Sequence, residues 1–307
     1  MTLWHILPGI VGAVAVALAS GWLFRAFLVA VSRGDLRRAL RGAPLTATFG
    51  MLVILVYLLI ALFAPVLAPF AEREVVGGQY LPWAAPHYLG TDNLGRDMLT
   101  RLIYGARNTV GIAFATTALA FVAGSILGLW AATVGGWIDQ ALSRLVDALM
   151  AIPALIFSLL LLTIFGTSII MLILVIAAID ATRVFRLARS VAQGIVVMDY
   201  IEAAKLRGEG TWRLITREVL PNALAPLVAE FGLRFCFVFL AISALSFLGL
   251  GIQPPTADWG SMVRENATLI NFGDVTPLLP AGAIALLTVA VNFVVDWQLH
   301  RASGLKE

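Results

Sequence analysis

The sequence predicts an all-α integral membrane protein folded as one bundle of spanning helices, and three observations carry that prediction. The first is composition: 60% of the 307 residues are hydrophobic and 13% are charged, against about 25% charged in an ordinary soluble domain. The second is a series of seven long apolar stretches that lack the two-residue alternation of half-buried strands. The third is the gathering of basic residues into alternate connections between those stretches. A mean hydropathy of +0.93 fits lipid as the solvent, where each spanning helix needs about 20 largely apolar residues.

The stretches cover residues 6–31, 45–69, 107–131, 145–165, 167–183, 222–249 and 276–297. At about 1.5 Å per residue, each reaches across a hydrocarbon core about 30 Å thick. The first, from Trp4 to Val31, has no basic leading region and is too long for a signal peptide. It is expected to be an additional spanning helix with its N-terminus outside, and Arg25 would snorkel to the cytoplasmic surface. A mis-assigned start and a helix lying on the membrane surface stay open as alternatives.

Orientation follows from the cations. Arg33, Arg37, Arg38 and Arg41 follow the first stretch, and Arg144 precedes the fourth. Arg183, Arg186, Arg189, Lys205, Arg207, Arg213 and Arg217 cluster between the fifth and sixth, and Arg301 and Lys306 close the chain. Alternation through the helices puts these four groups on one side, and basic enrichment makes that side cytoplasmic. The expected organisation is an extra helix with a basic linker (1–44), a helical domain (45–297) and a cytoplasmic tail (298–307). Within the domain, residues 70–106 and 250–275 face outward and 184–221 form a cytoplasmic loop. Trp83 and Trp259 then read as interfacial anchors.

Several chemistries are disfavoured. Cys236 is the sole cysteine, so neither an internal disulfide nor a cysteine zinc cluster can form. His5, His87 and His300 lie in separate segments, and no metal site is expected from them. A net charge of +3 gives no ground for nucleic-acid binding. A phosphate-cradling loop would end in Gly-Lys-Ser/Thr, but Lys205 precedes Leu206 and Lys306 precedes Glu307. The nucleophile-elbow pattern of a hydrolase is also missing. Asp180, Arg183 and Asp147, near cytoplasmic helix ends, call for no special explanation.

The sharpest local signal runs from Asp199 through Glu202-Ala203-Ala204-Lys205 to Gly208, then from Trp212 to Pro221-Asn222. A helix is predicted over 199–207, with Asp199 as N-cap and Glu202 three residues on in a capping-box pair. Gly208 and Gly210 break it, Thr211 caps a second helix, and Pro221 ends or kinks that one. Glu202-Ala203-Ala204, Gly208 three residues after Lys205, and Leu220-Pro221 resemble the EAA loop of binding-protein-dependent ATP-binding-cassette (ABC) importer permeases. In that family the loop is a coupling helix that docks in a groove of the ATPase subunit. Small alanines permit close approach, Glu202 meets basic groups of the partner, and Gly208 supplies the turn. Two positions depart from the family: Glu218 stands where a basic residue is common, and Gly210 where serine is frequent.

A second resemblance narrows the family. His87 to Asp97, which contains Gly90, Thr91, Asp92, Gly95, Arg96 and Asp97, is similar to the outward segment of C-type dipeptide/oligopeptide permeases, as is Arg101–Arg107. Ser246 to Pro255 and Asp258-Trp259-Gly260 match the same group, and together the likeness covers residues 45–297. It implies a six-helix type I ABC importer core, to which the first stretch adds one helix. It also implies a homologous second permease subunit, two ATPase subunits that bind ATP and Mg, and an extracytoplasmic solute-binding protein. This chain would hold no cofactor and no catalytic residue, and would sit in the bacterial inner membrane with its C-terminus cytoplasmic. Peptides are the default cargo, although relatives carry nickel, glutathione, opines or sugars.

Asp92, Arg96 and Asp97 are expected to form an ion-paired, glycine-hinged cap on the outer gate; contact with the binding protein and with substrate are the other readings. Glu230 and Arg234, four residues apart on the sixth stretch, can pair on one helix face. Charges inside a membrane are functional candidates by default, so the pair either faces the translocation path or partner permease or fixes helix packing. The alternatives to the importer are an ion-coupled secondary transporter, which would favour inverted repeats and broken midplane helices, and an intramembrane hydrolase.

Overall fold

The apolar stretches fold as helices, several of them longer than the hydropathy pattern predicts. The computed structural model describes residues 7–303, so Trp4, His5 and Lys306 lie outside the described residues. The helices are α1 (Leu7–Val31), α2 (Gly34–Arg41), α3 (Leu45–Leu67), α4 (Met98–Gly105), α5 (Gly111–Val134), α6 (Gly136–Met150) and α7 (Ala154–Phe165). They continue with α8 (Ile169–Val196), α9 (Asp199–Leu206), α10 (Thr211–Leu214), α11 (Leu220–Phe247), α12 (Trp259–Asn266) and α13 (Leu278–Ser303).

Short π-helical segments, Ala106–Val110 and Ile215–Val219, join α4 to α5 and α10 to α11. Two continuous helices result, Met98–Val134 and Thr211–Phe247, each 37 residues long. Pro221 therefore neither ends nor sharply breaks its helix, contrary to expectation. It sits in the first turn of α11, directly after the π segment, where the wider turn absorbs its missing N–H.

Five helices among the described residues are long and apolar enough to cross a membrane, or six if a bent pair counts as one span. That pair corrects the expected single span over 145–165: α6 and α7 meet at 88°. The break lies at Pro153, which cannot donate a helical hydrogen bond and disfavours helical geometry at Ile152 before it. The predicted span over 167–183 falls in α8, which runs for 28 residues, carries Asp180, Arg183, Arg186 and Arg189 in its middle and second half, and is not among those five helices. Residues assigned from sequence to the start of a loop are thus helical to Val196, and the tail is helical to Ser303.

Glycines set the closest helix contacts. A Cβ at Gly124 would lie 2.6 Å from the Ala181 carbonyl oxygen, and one at Gly128 would lie 2.6 Å from that of Phe185. The four-residue spacing puts both on the α5 face that meets α8, the small-residue packing that brings membrane helices together. Gly50 likewise brings α3 against Ala290 of α13, and Gly21 brings α1 against Leu45 of α3. Arg25 reaches the Arg41 carbonyl oxygen at the end of α2, tying the first helix to the basic linker.

The main core gathers Val110, Leu162, Leu172, Phe239, Ile242, Trp259 and their neighbours. Trp259 is 2% exposed, which corrects its assignment as an interfacial anchor. Its ring meets Tyr57 and Phe239 edge-on, and its indole N–H donates to the Leu102 carbonyl at 3.0 Å. Trp83 stays partly exposed and donates to Thr276 Oγ1 at 3.0 Å.

Candidate functional site

Three constellations hold the residues singled out from sequence. The hairpin between α8 and α11 begins at Met198, whose extended backbone makes it the N-cap of α9. Asp199 is therefore the first helical residue, and neither it nor Glu202 forms the expected capping box. Both sit in the first turn, where their charges favour the positive helix end. Thr211 is likewise the first residue of α10, with Gly210 as the N-cap. Gly208 has φ of +79°, a left-handed geometry that the absent Cβ makes inexpensive.

The hairpin divides into two faces. Ile201 and Ala204 are fully buried, and Ile201 packs with Leu129 of α5, Ala188 and Ala192 of α8, Val219 at the end of the π segment and Ala223 in the first turn of α11. Glu202, Ala203, Lys205 and Gly208 are exposed. The Glu-Ala-Ala triplet is thus split: Ala204 is buried, and only Glu202 and Ala203 are exposed. Leu206 and Trp212, 84% and 61% exposed, flank them. Sequence reasoning passed over these two; the signal was two large apolar residues on either side of a predicted polar turn. Leu220 is half-buried and Pro221 exposed where the chain returns to the bundle.

The opposite constellation lies beyond the other end of α5, which is about 35 Å long at 1.5 Å per residue. Asp92 closes a tight turn: its Oδ1 accepts the backbone N–H groups of Leu94 and Arg96, each at 2.9 Å. Gly90 and Gly95, with φ of +73° and +75°, allow the turn to pack against the carbonyls of Leu81 and Gly77. Thr91 fastens the same loop, donating to Gly78 O at 2.7 Å and accepting from Leu81 N–H at 2.8 Å.

Asp92 Oδ2 pairs with Arg96 at 2.7 Å and Arg101 at 3.3 Å. Both guanidiniums then approach Glu265 of α12, at 3.4 and 3.5 Å. Arg101 is 1% exposed. Asp97 serves elsewhere, as N-cap of α4 through Thr100 N–H at 2.8 Å and as partner of His87 Nδ1 at 3.2 Å. Sequence reasoning found Asp92, Arg96 and Asp97 but missed Arg101 as a network member, and Glu265, 169 positions after Arg96, gave no local signal.

The same end holds Asp258, fully buried as N-cap of α12. It accepts from Ser261 N–H at 2.8 Å and from Thr109 Oγ1 at 2.9 Å, Thr109 lying in a π segment. Burial pushes the Asp258 carboxyl above the ordinary carboxylate range, against the hydrogen bonds that pull it down.

The third constellation lies within the bundle. Arg234 Nε meets Glu230 Oε1 at 2.7 Å, so the predicted pair forms. Arg234 also reaches Asp180 Oδ1 of α8 at 3.5 Å and covers the Phe237 ring at 4.8 Å. Asp180, set aside in the sequence reading, is 3% exposed and central: Arg183 also donates to its Oδ1, at 3.1 Å. The cluster joins α8 to α11, a link that single-helix spacing rules cannot reveal. Asp147 is exposed, as expected for a residue near a helix end.

A model of the family described as binding-protein-dependent transport system inner membrane component matches residues 124–302. The chain is 35% identical to the dipeptide transport system permease protein DppC of Alkalihalophilus pseudofirmus, over 81% of this chain and 83% of that protein. It is 35% identical to the di/tripeptide transport system permease protein DppC of Pseudomonas aeruginosa, over 80% and 84% of the two chains. A probable D,D-dipeptide transport system permease protein of Escherichia coli is 33% identical over 84% and 86%. The chain belongs to the binding-protein-dependent transport system inner membrane component family and is a permease subunit of an ABC importer.

Proposed function

We propose that this subunit carries peptides into the cytoplasm, that it pairs with a homologous permease, and that the 197–221 hairpin couples the pair to separate ATPase subunits. The observation that carries the coupling assignment is the two-faced hairpin. Ile201 packs it against α5 and α8 and Ala204 is buried, while Glu202, Ala203, Leu206 and Trp212 stand outward as a polar and apolar surface. Such a surface suits a partner that supplies an apolar groove with a basic rim.

In the proposed cycle an extracytoplasmic binding protein delivers solute to the outward end of the permease pair. ATP and Mg bind only to the ATPases, and their closure pushes each hairpin. The displacement passes into the bundle as alternating access, and the chain itself performs no hydrolysis. The hairpin and the C-terminus face the cytoplasm, and the membrane is the bacterial inner membrane. The Asp92–Arg96–Arg101–Glu265 network holds the outer gate together, and Glu230 and Arg234 belong to the path. The likeness to dipeptide and di/tripeptide permeases supports a peptide cargo.

Glu202→Lys reverses the exposed charge, and Gly208→Asp forces a side chain onto a backbone at φ of +79°. Each is expected to abolish uptake while membrane insertion and permease pairing persist. Uptake at the wild-type rate in both variants would refute the coupling assignment.

A further inference from the structure

Between Arg25 and Arg41 the sequence carries five arginines and one aspartate, and the next acidic residue is Glu72. The fold gathers this charge at one place. α1 and α3 are both long and apolar enough to cross a membrane, and only residues 42–44 separate α2 from α3. The segment leaves one such helix and enters another, so it is tethered at the membrane surface.

Gly21 marks the level at which α3 begins, because a Cβ there would lie 2.9 Å from the Leu45 carbonyl oxygen. α1 continues for ten residues beyond Gly21, about 15 Å, and α2 folds back beside this overhang. Gly34, with φ of +60°, stands at the turn. The Arg25 guanidinium donates to the Arg41 carbonyl at the far end of α2, and Leu40 and Ala43 are buried.

Two stripes cover the outside of this α1–α2 corner. On α1, Trp22, Leu23, Phe27 and Val31 are exposed and recur at the spacing of one helix face. On α2, Arg37 and Arg41 share a face four residues apart, and Arg33 stands at the N-cap. All three arginines are exposed, and none has an ion-pair partner among the described residues. An apolar stripe beside uncompensated guanidiniums at a membrane boundary suits an anionic phospholipid. Acyl chains lie along the apolar side chains, and guanidinium forks donate to phosphate oxygens. Lipid fits better than a protein partner because the corner is tethered between two membrane helices and its charge is opposite to that of anionic headgroups.

We infer that the α1–α2 corner is a binding site for anionic phospholipid, with the headgroup phosphate on Arg33, Arg37 and Arg41 and the acyl chains against Trp22, Leu23, Phe27 and Val31. A free phosphate ion offers the same oxygens, but the apolar stripe commits the site to the lipid. On the orientation proposed above, the lipid belongs to the cytoplasmic leaflet; the binding itself depends on no cargo. The site gives the additional first helix a task of its own, outside the residues that the family model matches.

The full chain in a non-ionic detergent is titrated with dioctanoyl phosphatidylglycerol, and binding is read by calorimetry at low salt. Dioctanoyl phosphatidylcholine and inorganic phosphate serve as comparison ligands. Each arginine beside an anionic lipid is worth about fivefold in affinity. The combined variant Arg33→Gln, Arg37→Gln, Arg41→Gln is therefore expected to raise the phosphatidylglycerol Kd about a hundredfold. The matching lysine variant keeps the charge and should stay within about fivefold of wild type. Trp22→Ala with Phe27→Ala should raise the Kd about tenfold through lost apolar contact.

If the triple glutamine variant aggregates, Arg33→Gln and Arg37→Gln decide singly, each with an expected rise of about fivefold. An unchanged Kd in the glutamine variants would overturn the inference. So would equal affinity for phosphatidylcholine, or displacement of the lipid by millimolar inorganic phosphate. Loss of ATPase-subunit association in the triple variant, with lipid affinity at the wild-type level, would make the arginine stripe a protein contact and overturn it as well.

Discussion

Removing the Asp92 side chain tests the outward network most directly. Asp92→Ala deletes the carboxylate that faces Arg96 at 2.7 Å and Arg101 at 3.3 Å, and it leaves two buried guanidiniums to share Glu265. Breaking a buried pair by removing one partner costs about 3–5 kcal/mol. The change also strips acceptors from the N–H groups of Leu94 and Arg96, each about 1 kcal/mol. The expected loss therefore lies in the upper part of that range. Asp92→Asn should cost less, because an amide oxygen can still close the turn.

Arg101→Met should cost less still. Its three guanidinium nitrogens make no hydrogen bond of good geometry, and Arg96 would remain to face both carboxylates. Reversible unfolding of the purified protein in mixed micelles, with helicity followed against denaturant, gives the three differences. The expected order of damage is Asp92→Ala, then Asp92→Asn, then Arg101→Met. Asp92→Ala within about 0.5 kcal/mol of wild type, the range of an ordinary surface substitution, would refute the reasoning. So would Arg101→Met proving the most harmful of the three.

Two further outcomes follow from close packing and from buried charge. Gly124→Val places a Cβ 2.6 Å from the Ala181 carbonyl oxygen, so folded protein recovered by size exclusion should fall sharply, whereas Gly111→Ala, at a position with open space around it, should leave recovery unchanged. Because burial raises the Asp258 carboxyl, the folded state binds that proton more tightly than the unfolded state. Its contribution to stability is full below the unfolded value of about 3.9 and is lost as pH rises through the folded value. Asp258→Asn should flatten that part of the stability-against-pH curve upward of about pH 4, and an unchanged slope would count against a buried carboxyl there.

What the sequence made legible is what local chemistry decides. Apolar run length located the long helices, and Gly208 with its neighbours marked the hairpin turn, because glycine at positive φ is a local requirement. The Glu230–Arg234 pair was readable because four-residue spacing on one helix is enough to define it. The errors fall where tertiary context overrides a local rule. Asp199 reads as a cap by composition, yet Met198 occupies that position because Ile201 must point into the bundle. Trp259 reads as an interfacial residue by type, yet the fold closes over it. Pro153, inside an otherwise continuous apolar run, was the visible but unused sign of the 88° bend. Asp180 and Glu265 each find partners on another helix, and no periodicity within one segment points to them.

The glycine-lined contact between α5 and α8 has a mechanical consequence. Where backbone meets backbone at Gly124 and Gly128, no side chain stands between the helices to change rotamer and absorb a displacement. Well-packed interiors compress little and pass strain onward, so the two helices are built to move together. The hairpin is clamped to one end of that pair through Ile201, and the Ala181 carbonyl that touches Gly124 belongs to the residue next to Asp180. Any displacement of the hairpin would therefore pass along this contact toward Asp180 with little slack.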